Sequence, residues 1–189
     1  EDGGFVDACV ALSLELGQAD QAADLLVRHA EATLGSDRAR SGASDARAGR
    51  LFLEELSDLP AAIACLQRAW VAVPDELTWQ LLVRAYGTRG DFAEALAFYE
   101  DAHTYGRRAP LDLHRQVSRW AQQLGNASAE EGALRLIFEI DPTDFISAFR
   151  LVEMLEFQNR FGDAAQALKD IDLASSDLAL ARRGEIKNR

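Results

Sequence analysis

Apolar residues recur at helical spacing along most of the chain. Trp79, Leu82 and Tyr86 stand three and four apart, and Ala95, Tyr99 and Ala102 four and three apart. Each set therefore lies on one face of a helix. Between them, Gly90 supplies a break and Asp91 a side-chain cap for the next helix. The pattern predicts a helix–turn–helix hairpin with its two apolar stripes facing each other. Small Ala95 and Ala102 let the helices approach, and Tyr99 fills the space beside them.

The second-helix spacing returns in Ala22-Leu26-His29, Ala62-Leu66-Ala69, Glu130-Leu134-Ile137 and Ala164-Leu168-Ile171. The anchors at 22, 62, 95, 130 and 164 are separated by 40, 33, 35 and 34 residues. Hairpins are predicted over 5–33, 45–73, 77–106, 111–140 and 144–173, divided by turns at Gly17, Ser57-Asp58-Leu59-Pro60, Gly90, Gly125-Asn126 and Asn159-Arg160-Phe161-Gly162. A further helix is predicted over 177–187, either a cap or the start of a sixth hairpin. The long first interval falls in residues 35–48, which hold no large apolar side chain. A loop is predicted over 35–44, as an inserted linker or a binding loop, with Ser44 or Asp45 capping the helix after it.

The unit Trp79-x2-Leu82-Val83-x2-Tyr86 followed by Ala95-x3-Tyr99 resembles the tetratricopeptide repeat (TPR), whose pattern is W-x2-L-G-x2-Y then A-x3-F at a period of about 34 residues. It departs at Val83, where the family prefers Gly, and Arg107 stands where the family has Pro. The resemblance implies an all-α fold, a right-handed solenoid of about five TPR-like hairpins plus a C-terminal helix, with 1–189 as one solenoid. Apolar Phe5, Val6 and Val10 at one end and Leu178 and Ile186 at the other, with no initiator Met, lead us to expect a fragment of a longer array.

Composition narrows the chemistry. Thirty-one acids against 20 bases give a net charge of −11, which excludes a broad phosphate-binding face and so a nucleic-acid partner. No apolar run approaches the length of a membrane span. Cys9 and Cys65 are expected to be free buried thiols. His29, His103 and His114 fall on different units, and no metalloprotease, nucleophile-elbow or nucleotide motif occurs. The acid pairs Glu54-Glu55, Glu100-Asp101, Glu130-Glu131 and Glu153/Glu156 read as solvated helix faces. Neither a catalytic residue, nor a metal site, nor a cofactor is expected. Asn126-Ala127-Ser128 is a chance glycosylation sequon.

The resemblance also implies where a partner would sit, because stacked hairpins line a groove with their first helices. Carried onto this chain, the groove positions are Arg47 and Glu54, Gln80 and Arg84, Arg115, Arg119 and Gln122, and Phe149, Glu153 and Glu156. Arg84, Arg115 and Arg119 are expected to form a basic group that holds an extended or helical peptide bearing acidic and apolar side chains. The competing account is that these arginines pair with nearby acids. Clamps for chaperone tails are similar in fold but use Asn and Lys in the groove; here Asn126, Asn159, Asn188, Lys169 and Lys187 all fall outside it.

The expected function is a non-catalytic scaffold that holds a protein or peptide partner. The alternative is narrower. The Arg-rich, Lys-poor texture also resembles the periplasmic TPR region of outer-membrane exopolysaccharide export proteins of the Pel type. That resemblance implies a periplasmic location, a polysaccharide-modifying enzyme as partner, and traffic with a cationic polymer.

Overall fold

The computed structural model describes residues 2–104 and 109–171. Within them run α1 (Asp2–Glu15), α2 (Ala19–Thr33), α3 (Arg38–Glu54), α4 (Leu59–Ala72), α5 (Glu76–Arg89), α6 (Phe92–Thr104), α7 (Leu111–Leu124), α8 (Ala127–Ile140) and α9 (Phe145–Phe157). A tenth, α10, covers 161–171. No strand occurs among the described residues. The helix expected over 177–187 lies outside them. The chain divides into two compact units, 1–108 and 109–189.

Each pair of helices turns on one left-handed residue. Gly17, Ser57, Gly90, Gly125 and Asn159 have φ of 70°, 55°, 91°, 67° and 59°. Each stands five residues ahead of an expected second-helix anchor. Glycine and asparagine suit this conformation; serine does so at a steric cost. Ser57→Gly is expected to stabilise the fold by about 0.5–1 kcal/mol. A chemical-denaturation midpoint that falls on this substitution would contradict the strain.

Side-chain caps start the helices that follow. Asp37, Asp58, Asp75, Asn126 and Asp144 accept hydrogen bonds from the amides of Arg40, Ala61, Thr78, Ala129 and Ser147. Pro60 sits in the first turn of α4, where a missing N–H costs nothing.

In the first unit, Val10, Ala22, Leu26, Ala48 and Cys65 form one apolar cluster, and Ile63, Leu66, Leu81, Leu82 and Ala85 another. Trp79 is fully buried, stacks on Tyr99 at 5.9 Å, and donates its indole N–H to the Phe98 carbonyl at 3.0 Å. In the second unit, Leu134 and Ile137 of α8 pack on Ala148, Leu151, Val152 and Leu155 of α9 and on Ala164 and Ile171 of α10.

The loop expected over 35–44 is a correction. Only residues 34–37 connect α2 and α3, and α3 begins at Arg38. Ser44 and Asp45 do not cap; they are buried inside α3. The stretch lacks large apolar residues because α3 lies close to its neighbours. A Cβ on Gly42 would stand 2.7 Å from the Ala72 Cβ, and one on Gly49 2.6 Å from the Leu66 Cγ. Ser41 donates to the Ala30 carbonyl at 2.8 Å, and His29 shares a 2.8 Å hydrogen bond with Ser44. Asp45 receives both Nε and Nη2 of Arg68.

Candidate functional site: a cleft on the first helices of the second unit

Unit two places a cleft of about 550 Å³ between α7 and α9, floored by α8. Arg115, Ser118, Arg119 and Gln122, spaced three and four apart on α7, form one wall. Asp144, Ile146, Ser147 and Arg150 at the start of α9 form the other. Glu130, Leu134 and Ile137 form the floor. Three of the expected groove residues, Arg115, Arg119 and Gln122, thus converge on one cavity.

The arginines there do different work. Arg115 donates through Nε to Asp144 at 2.8 Å, with Asp141 3.4 Å from its Nη2. Arg150 donates through Nε to Glu130 at 2.8 Å. Glu130 is nearly buried, at 5% exposure, so Arg150 matches a charge that would otherwise stand desolvated. Arg119 is exposed and carries no ion pair among the described residues. Arg115 is thus paired with acids of its own unit, and Arg119 is not paired with any described acid.

Beside the cleft, α9 turns an apolar row outward. Ile146, Phe149 and Phe157 are 86%, 51% and 90% exposed, and with Glu153 they follow one another at intervals of three or four. Glu153 lies 3.7 Å from Arg150 and is largely exposed; Glu156 is exposed one position off the row. Large apolar side chains aligned on one exposed face are unusual in a surface helix.

The remaining expected residues lie in the first unit. Arg47 donates to Asp7 at 2.5 Å and lines a cleft of about 490 Å³ with Val10, Leu14, Leu26, Leu51 and Glu54. Its guanidinium holds the Asp7 carboxyl below the usual range. Arg50 pairs with Glu54 at 2.7 Å. Gln80 and Arg84 are half-buried one turn apart on α5. The basic group expected from Arg84, Arg115 and Arg119 is therefore divided between two units.

Ile146, Arg150, Phe157 and the floor position Glu130 are the site residues that sequence reasoning missed in that role. The row on α9 had a signal, the spacing 146, 149, 153, 157. Glu130 had one too, as an acid at an anchor position where the other four hairpins carry Ala.

Two carboxyls tie the unit together. Burial pushes Asp144 up, but the Ser147 amide and the Arg115 guanidinium outweigh it and hold the group below its ordinary 3.8. Burial likewise pushes Glu131 up, and Arg160 and Arg135 outweigh it, holding it below 4.5. A folded-state pKa below the unfolded one contributes stability above the unfolded value, and this is lost as pH falls through the folded value. The denaturation midpoint is expected to be level from pH 7 to about 5 and to fall below about pH 4. Asp144→Asn should flatten that fall. Equal midpoints at pH 7 and pH 3 would contradict the pairing.

No catalytic arrangement emerges from these residues. His29 and Ser44 are hydrogen-bonded, but Ser44 is 3% exposed and neither lines a cleft described above. His114 is buried inside α7. Among the described residues no three His, Cys, Asp or Glu side chains gather as a metal site. Nor is any helix among them long and apolar enough to cross a membrane.

No protein-family profile matches the chain, and no curated protein matches it in sequence. Solved structures do. A MamA double mutant (RS-1, ArsTM) superposes with a TM-score of 0.64 at 12% identity, over 94% of this chain and 97% of that one. MamA from Desulfovibrio magneticus RS-1, residue 41 to the end, gives 0.63 at 12% identity over 94% and 97%. A kinesin light chain-type protein of Podospora anserina with nearly identical TPR-like repeats gives 0.56 at 15% identity over 92% and 95%. Across nearly its whole length, this chain has the fold of TPR-like helical-hairpin proteins.

Proposed function

We propose that the chain is a non-catalytic scaffold that holds a partner protein on the first helices of its second unit. The observation that carries this reading is the exposed row Ile146, Phe149 and Phe157, lying beside a cleft whose wall carries Arg119 without an ion pair among the described residues. An aromatic anchor next to an arginine is the composition of an interface hot spot. The TPR-like fold supports it, because such repeats work through the surface that stacking leaves open. The segment that fits is an extended or helical peptide. Its apolar side chains would cover Phe149 and Ile146, and a carboxylate would meet Arg119 in bidentate geometry.

The narrower reading, a periplasmic export segment that docks a polysaccharide-modifying enzyme, rests on composition. No cleft residue and no structural likeness favours it over other protein partners.

The test is affinity capture from extract of the source organism, comparing the wild-type chain with the variant Ile146→Ser, Phe149→Ser, Arg119→Glu. All three positions are surface positions, so both forms should be equally helical. Recovery of a wild-type partner is expected to fall at least tenfold, about 1.4 kcal/mol. Undiminished recovery would move the binding site elsewhere.

A further inference from the structure

We infer that the outer face of α1 is a stacking surface for the second helix of another hairpin of the same repeat type. The observation is an apolar helix with two apolar faces. One face, with Val6 and Val10, packs on α2 and α3. The other exposes Phe5, Leu12 and Leu16 at 75%, 55% and 64%. A helix apolar on both faces belongs between two neighbours, and among the described residues α1 has neighbours on one side only.

The repeat register identifies the missing neighbour. Ala8 and Leu12 stand 14 and 10 residues ahead of the anchor Ala22. The same offsets from the anchors at 62, 95 and 164 pick out Ala48 and Phe52, Leu81 and Ala85, and Arg150 and Met154. Every one of these pairs packs on the second helix of the preceding hairpin. Ala48 and Phe52 cluster with Leu26 of α2. Leu81 and Ala85 cluster with Ile63 and Leu66 of α4. Arg150 bonds Glu130 of α8, and Met154 packs with Leu134 and Ile137. Leu12, with exposed Ala8 one turn before it, thus continues an interface the chain already repeats three times, and Phe5 and Leu16 extend its apolar row.

The chemistry of the occupant follows. It is an amphipathic helix with small and aliphatic residues at intervals of three and four, like α2 and α4. Asp7 lies on the far side of α1 from the row and is already matched by Arg47, so the charge that flanks the row is Glu15, exposed at the end of α1. In a stacked array an added hairpin contributes mainly through its nearest-neighbour interface.

The test joins a consensus TPR hairpin ahead of α1 in the 189-residue chain, in register, and measures thermal unfolding and sedimentation of four proteins. These are the chain and the fusion, each with and without Phe5→Ser, Leu12→Ser and Leu16→Ser. The residues are exposed, so the variant chain is expected to fold. The fusion is expected to raise the chain's transition by about 5 °C or more, and the triple substitution to remove most of that rise, with the unfused chain monomeric. A rise that survives the substitutions would overturn the assignment of this face. A dimer of the unfused chain that the substitutions dissolve would overturn the occupant in favour of a second copy.

Discussion

Trp79→Ala is expected to cost about 3–5 kcal/mol, as for a large aromatic removed from a closed core. Trp79 is the largest of the fully buried side chains in the chain. Its loss removes a ring stacked on Tyr99 and the indole donor to the Phe98 carbonyl, which ties α5 to α6. Tyr99 cannot swing in to relieve the cavity at no cost, because it is itself buried, and burial pushes its hydroxyl pKa up. The expected loss is a large share of the 5–15 kcal/mol that holds a typical domain folded. Urea denaturation followed by far-UV circular dichroism measures it. A change below about 1 kcal/mol would mean that Trp79 does not hold the α5–α6 hairpin together.

Gly49→Leu is expected to destabilise by about 3 kcal/mol, the upper end for an overpacked core. Helix propensity pulls the other way, since glycine in a helix interior is worse than most residues by up to about 1 kcal/mol. Sterics win, because even the first added carbon would stand 2.6 Å from the Leu66 Cγ and 3.1 Å from the Ala62 carbonyl oxygen. Leu66 is fully buried and has no room to withdraw. The helices α3 and α4 would have to separate. A rise in denaturation midpoint on this substitution would show that propensity outweighs the close approach.

Gly49 also marks where the sequence was hardest to read. The anchors Ala22, Ala62, Ala95 and Ala164 are all buried, and the left-handed turn residues repeat at the same intervals, so the hairpins were legible from spacing. Residues 38–48 are equally helical, yet they carry Ser41, Gly42, Ser44 and Asp45 where a buried helix usually shows Leu or Ile. Small residues there record the nearness of Ala72 and Leu66, side chains 30 and 17 positions further on. Period alone cannot report such a partner. The site divides in the same way. Arg115 and Arg119 are one helical turn apart and look alike in sequence. Only the fold brings Asp141 and Asp144 to Arg115 and leaves Arg119 without an ion pair among the described residues.

The measurement closest to the central claim is photo-crosslinking with benzoylphenylalanine placed at position 149, on the exposed row of α9, and separately at position 139, an exposed position on α8 outside the cleft lining. Each form is irradiated in extract of the source organism, with and without Arg119→Glu. A scaffold that binds on its first helices gives one discrete protein adduct from position 149, lost with Arg119→Glu, and none from position 139. An adduct from position 139 alone, or one at 149 indifferent to Arg119, would contradict it.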